Sequence, residues 1–430
     1  MLNLLALMLQ MAVILIVCRL VGDLFLKIGQ PRVNGEMFAG ILLGPSLLGW
    51  VAPKVSHYLF APASFDFLNA LGQLGVVLFM FLAGLSIDPA EIKSQAKATT
   101  SITIASIGAP MLLAFALAAY LYPRVATPGV NFTNFALLLG AAMTITAFPM
   151  LAKLLLERNL LSSPMGTVAV GSSCVAGVFT WCVLAYIVAS IKNPGSRLGL
   201  YLTFAGILLF TVAMFAVVQP RFNRFGEIYR QTGTLGEKPM AVMMVIVVIA
   251  SVISGYLGLH PLFGAFLVGA VMPKSKGFGD FVSGKLAVIT TAVLLPLYLA
   301  FSGLRTNLLT LRGVQMWLIT GLIIAVALVG KVVASALAAR ASGMSLRQGF
   351  ALGSLLNMRG LICLIVLNIG LDLKLINSAV FSMMVVMALV NTFLTPPMFN
   401  WFYPRQPAQE KDADPAVNQR LEQPALATPN

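Results

Sequence analysis

The chain has 430 residues, of which 59% are hydrophobic and 10% charged, a balance outside the range of soluble globular domains that excludes a water-soluble enzyme. Its net charge of +14 invites a nucleic-acid partner, but in a chain this apolar Lys and Arg first of all set orientation in a lipid bilayer. An integral membrane protein with no nucleic-acid partner is expected.

The opening MLNLLALMLQMAVILIVCRL has neither a basic n-region nor an A-x-A cleavage site, so it is expected to remain as a first spanning helix. A crossing needs about 20 apolar residues. Runs bounded by charged, Pro-rich or Gly-rich breaks fall at 4–26, 34–50, 67–86, 98–122, 134–157, 164–191, 198–218, 239–258, 261–275, 284–304, 316–340, 346–371 and 377–402. The fold class that follows is an all-α polytopic membrane protein with about 13 transmembrane helices. An odd count puts the termini on opposite sides. The connections on the C-terminal side hold most of the Lys and Arg; the other side holds Lys54, Arg124, Lys192, Arg197, Arg305, Arg312 and Lys374. By the positive-inside rule the N-terminus is outside and the C-terminus cytoplasmic. Residues 1–402 then form one transmembrane domain, and 403–430, polar and rich in Pro, Ala and Gln, a disordered cytoplasmic tail. Cys18, Cys174, Cys182 and Cys363 lie inside apolar runs without paired spacing, so they signal packing and no metal site.

Two runs contain residues that an uninterrupted helix avoids. GAAMTITAFPMLAKLL places Thr144, Thr146 and Pro149 at mid-depth, where proline removes a backbone hydrogen bond and threonine can satisfy a freed carbonyl. GSLLNMRGLICLIVLNIG does the same with Asn357, Arg359 and Gly360. The two runs are seven spans apart and so traverse the membrane in opposite senses, as inverted repeats with two crossed discontinuous helices do in secondary transporters. Lys331, in ALVGKVVAS, and Arg359 lie near the centres of their spans. Each costs about 2.5–3.5 kcal/mol to insert, which marks a functional site or, for Arg359, a clamp on unwound carbonyls.

The motifs QPRVNGEMFAGILLGPSLLG (30–49), ALGQLGVVLFMFLAGLSID (70–88), TAFPMLAKLLLERNLL (146–161), GLHPLFGAFLVGAVMP (258–273) and LGSLLNMRGLICLIVLNIGL (352–371) closely resemble the monovalent cation:proton antiporter 2 family, over nearly the whole chain to about residue 402. The resemblance implies a dimerisation domain and a mobile core domain, a homodimer, and an ion site between the crossed broken helices and the helix after TAFP. It also implies a carboxylate pair there, Asp-Asp or Asn-Asp, because a carboxylate can hold a hard cation or a proton in turn. The family spacing between Gly166 and Trp181 puts that pair at Ala176 and Gly177, in GSSCVAGVFTW. The pair is absent, and a family glutamate four residues after Arg359 is replaced by Cys363. Lys331 matches the lysine that pairs with the aspartate in related antiporters.

Three readings stay open. One is a monovalent cation (Na⁺ or K⁺):proton antiporter with Thr144, Thr146, Ser172, Ser173 and backbone carbonyls as ligands and Lys331 as the titrating group. The second is a transporter of an anion or small organic solute held by Lys331 and Arg359. The third is a transport-inactive pseudo-antiporter acting as a membrane sensor or partner subunit, in which Ser173 and Gly177 are a small-xxx-small packing ridge. No cofactor is expected, since no glycine loop followed by Lys-Ser/Thr is present to cradle a phosphate. The resemblance places the chain in a plasma membrane, a bacterial inner membrane.

Overall fold

The computed structural model describes residues 4–404, apart from 61, 87–95, 159, 161–162, 193–196, 258–260 and 276. The expectations for the tail beyond 404 fall outside the described residues.

Most of the described residues are helical, and apart from the short α4 and the polar α11 each helix follows an apolar run. The chain begins with α1 (Leu4–Lys27), α2 (Arg32–Leu43), the short α3 (Leu48–Val51) and α4 (Pro53–Leu59), and α5 (Pro62–Leu85). Then come α6 (Ala96–Val125), α7 (Phe132–Thr144), α8 (Phe148–Glu157) and α9 (Pro164–Lys192). A peripheral stretch, α10 (Arg197–Ala213) and α11 (Gln219–Thr232), is continuous through a π-turn at Met214–Val218. Next are α12 (Glu237–Tyr256), α13 (Pro261–Ala270), α14 (Phe278–Ile289) and α15 (Leu295–Leu304), the last two joined by a π-turn at Thr290–Leu294. The chain closes with α16 (Gly313–Ala341), α17 (Leu346–Leu356), α18 (Gly360–Asp372) and α19 (Ser378–Phe402).

Among the described residues nine helices are long and apolar enough to cross a membrane, or ten when α17 and α18, bent by 48° at their break, count as one crossing. The other three expected spans fold as shorter pieces: α2, α7 followed by α8, and α13. Length and composition thus give at most ten full crossings where thirteen runs were expected, because some runs are shortened or interrupted by Pro, Gly and polar residues.

Packing separates the helices into two groups. In one, α2 lies against α1 and α15, and α5 against α13 and α15. These crossings are close because they are built on glycine. A Cβ on Gly40 would lie 2.4 Å from the Ala300 carbonyl oxygen, and one on Gly303 2.6 Å from the Gly40 backbone. In the other group α16 packs on α6, α17 and α19, while α7 packs on α6, α9 and α18. This second group contains the same sequence of parts twice: a long helix, a broken helix and a long helix, as α6, α7/α8, α9 and as α16, α17/α18, α19. The groups touch along α2 and α15 on one side and α18 and α19 on the other.

Candidate functional site

The first break follows from local sequence. Asn131 caps α7, its side chain accepting from the Thr133 N–H at 2.8 Å. The helix ends where Ile145 turns extended (φ −65°, ψ 146°). After three non-helical residues the chain re-enters a helix at Phe148, with Pro149 in the first turn, where a missing N–H is harmless. In the second, Ser345 and Gln348 form a capping box at the start of α17, and helix is lost over 357–359. It resumes at Gly360, whose φ of +53° is a conformation glycine adopts without strain.

The two breaks meet. The Thr146 hydroxyl donates to the Leu356 carbonyl at 2.7 Å, and the Ala147 N–H to the Met358 carbonyl at 2.7 Å. Thr392 of α19 braces the second break, its Oγ1 accepting from the N–H groups of Arg359 (3.2 Å) and Gly360 (3.3 Å).

A helix leaves its last four carbonyls unpaired, and at membrane depth no bulk water can satisfy them. Here two buried cations do so. Arg359 Nη1 donates to the carbonyls of Ala142 (3.4 Å), Met143 and Ile145 (3.2 Å), and Nη2 to Ala327 O (3.2 Å) and Asn357 Oδ1 (3.3 Å). Lys331 Nζ donates to the Thr144 carbonyl. Both side chains are 0% exposed. Positive charge at the C-terminal, negative end of the α7 dipole is the favourable sign. The structure therefore gives Arg359 the geometry of a carbonyl clamp. Cys363, one turn on, donates its thiol to Ala142 O at 3.5 Å.

A small cleft opens beside the crossing, lined by Met80, Ala83, Thr146, Phe148, Ser173, Cys174, Gly177, Trp181, Phe266 and Ile362. It brings together three of the residues singled out in the sequence, Thr146, Ser173 and Gly177. A Cβ built on Gly177 meets nothing within 4 Å. Ala176, its neighbour on α9, is buried and outside the lining; its carbonyl accepts from Thr180 Oγ1 at 2.9 Å. Ser173 donates to Val170 O at 2.8 Å, so towards the cleft its oxygen can act as an acceptor. Ser172 is turned away and accepts from Thr103 at 3.0 Å. Thr144 donates back to Ala141 O at 3.1 Å, Asn357 reaches Asn391 O at 3.5 Å, and neither lines the cleft.

No lining residue is acidic. Among the described residues the only buried carboxylate belongs to Glu36, in the other helix group on α2. Sequence reasoning missed Asn391 and Thr392, both fully or almost fully buried on α19 at the second break. Their signal was the polar pair in ALVNTFLTPP, which a count of apolar residues absorbs.

Residues 12–403 match the family model described as "Sodium/hydrogen exchanger, transmembrane". The chain is 34% identical over 403 residues to the Na(+)/H(+) antiporter NhaS4 of Synechocystis sp., covering 94% of this chain and 98% of that one. It is 36% identical over 395 residues to Cation/H(+) antiporter 17 of Arabidopsis thaliana, covering 91% and 48%. With the K(+)/H(+) antiporter 1 of Saccharomyces cerevisiae it shares 30% over 406 residues, covering 92% and 46%. It spans about half the length of these last two. In fold it is similar to the sodium proton antiporter MjNhaP1 from Methanocaldococcus jannaschii, with a TM-score of 0.65, 14% identity and coverage of 93% and 100%.

Proposed function

Because the chain belongs to the sodium/hydrogen exchanger family, we propose that it is a secondary active transporter exchanging a monovalent cation, Na⁺ or K⁺, for protons across a bilayer. The observation that carries this reading is the cleft at Gly177, which lies against the first break with Thr146 and Ser173 in its wall. Hydroxyl and carbonyl oxygens there are the ligands of a partly dehydrated alkali cation.

With no carboxylate in the lining, the proton is carried by Lys331. Its ammonium holds the Thr144 carbonyl, two residues from Thr146. Loss of that proton weakens the hold on the carbonyl as one group shifts from ammonium to amine, and entry of one monovalent cation restores the charge. Exchange is then one for one and electroneutral, and proteoliposome flux does not change when a K⁺-valinomycin potential is imposed. The protein works as a homodimer in a bacterial inner membrane, with its N-terminus outside and C-terminus cytoplasmic, as the Lys and Arg distribution supports.

A second reading has one observation in its favour: the centre holds two cations and no lining acid, a sign of charge suited to an anion or small organic acid. One vesicle assay separates the readings. Wild type, Lys331→Met and the pair Ala176→Asn with Gly177→Asp are compared for dissipation of a pH gradient by Na⁺, K⁺ or Li⁺. Exchange in wild type, lost in Lys331→Met, supports the proposal. Exchange only in the double variant shows an intact fold whose native site does not move cations. Flux that follows the anion and is lost in Lys331→Met supports the second reading, and silence in every arm supports a transport-inactive relative.

A further inference from the structure

The joint between the broken helices contains polar atoms that the protein leaves unpartnered. Asn391, fully buried on α19, has no partner for either Nδ2 or Oδ1. Arg359 uses Nη1 and Nη2 on carbonyls but leaves Nε–H unpaired. These groups sit on elements that pack together. Helix α19 lies against α16 and α17, Thr392 beside Asn391 accepts from the Arg359 backbone, and the Asn391 carbonyl receives Asn357 Nδ2, whose own Oδ1 accepts from Arg359. Neither Asn391 nor Arg359 lines the cleft at Gly177.

Buried polar groups are nearly always hydrogen-bonded, to protein or to ordered water. The chemistry of this set selects among ligands. A cation satisfies Asn391 Oδ1 but not the two N–H donors, and it stands beside a guanidinium. An anion satisfies the donors and leaves Oδ1 unmet. Water donates and accepts, and buried water typically makes about three hydrogen bonds to such groups.

We propose that the joint is a hydration site, in which ordered water is bound by the Asn391 amide together with Arg359 Nε–H, separate from the cation cleft. This water solvates the back of the guanidinium whose front holds α7, and Asn391 is the residue that retains it. The proposal does not depend on which solute the protein moves.

The test is hydroxyl-radical footprinting by X-ray radiolysis of the full chain in nanodiscs, because radicals generated from bound water oxidise neighbouring side chains that bulk radicals do not reach. The reporters are Met358 and Cys363, which flank Arg359 and are 1% and 0% exposed. Met243 and Met384, both 0% exposed, are the dry controls for Met358, and Cys18, 1% exposed, is the control for Cys363. In wild type at least one reporter is expected to oxidise several-fold faster than the controls. In Asn391→Leu that excess is lost, and in Asn391→Gln, which keeps an amide, it is retained. Reporters as slow as the controls in wild type overturn the site, whatever the variants do. An excess unchanged in a folded Asn391→Leu protein overturns the role of Asn391. If Asn391→Leu fails to fold, the comparison of wild type with Asn391→Gln still decides: an excess lost in Asn391→Gln overturns the assignment.

Discussion

Arg359 shows how one residue can be both expensive and necessary. Its insertion cost was visible in the sequence, but its partners were not, since carbonyls of residues 142–145 carry no sequence signal. Arg359→Met leaves the carbonyls of Met143 and Ile145 without their donor and Ala142 with only the Cys363 thiol. At about 1.5–3 kcal/mol per hydrogen bond to a charged group, the variant is expected to lose on the order of 3 kcal/mol, seen as a lower thermal midpoint in detergent. Gly177 behaves in the opposite way. The space around its Cβ position and the cleft beside it leave room for a side chain to start there, so Gly177→Asp should elute as a monodisperse peak in size-exclusion chromatography and be available for the flux assay. The site was half legible for a plain reason. Threonine, proline, lysine and arginine stand out against an apolar run, whereas the missing carboxylate pair showed only through resemblance. Asn391 and Thr392 escaped because a helix that stays unbroken gives no cue that its polar residues support someone else's break.

Helices meet in two different ways in this molecule. Within a group they cross on glycine, as at Gly40 and Gly303, and the backbone contact has no room for a methyl group. Gly303→Ala therefore forces α2 and α15 apart and should cost about 1–3 kcal/mol, again read by thermal unfolding. Between groups the helices share one apolar core, joined at a few points by side-chain hydrogen bonds. Asn368 of α18 donates to Ser302 Oγ at 2.9 Å on α15, and Arg305 reaches both Asn368 Oδ1 (2.9 Å) and Asp372 (2.6 Å). Because Asp372 is half exposed, Asp372→Asn should change stability by no more than about 1 kcal/mol. If the two groups slide past each other in transport, the same variant should alter the rate of exchange more than the melting temperature. Element positions were the most legible part of the fold, since every expected span overlaps helix, although the non-helical stretches 44–47, 145–147, 271–275 and 357–359 fall inside expected spans. What the runs did not reveal was helix beyond them. The stretch Gln219–Thr232 continues α10 as a polar, basic helix, because helix is a matter of backbone and neighbours and does not stop where hydropathy does.

The whole molecule is a membrane protein in which the lipid-facing helices are lightly packed and the broken helices are buried. Large apolar side chains such as Leu112, Leu208, Leu209, Val288 and Leu318 are more than 60% exposed, as a lipid-facing surface requires. The inner helices α17 and α18, by contrast, are buried along most of their length. A green fluorescent protein fused after Asn430 should be bright in intact cells if the C-terminus is cytoplasmic; a dark fusion at normal protein levels overturns the orientation.

The clamp on α7 also sets a schedule for biogenesis. Thr144 is held by a lysine 187 residues downstream and Met143 by an arginine 216 residues downstream. A ribosome has delivered α7 to the bilayer long before either cation exists. Until α16 and α18 arrive, the nascent first half carries a helix end in lipid with no donor for its carbonyls, and membrane quality control can recognise it as unfinished. A fragment ending before α16 should accordingly be degraded when expressed alone, and be protected when residues 305–430 are supplied as a separate chain.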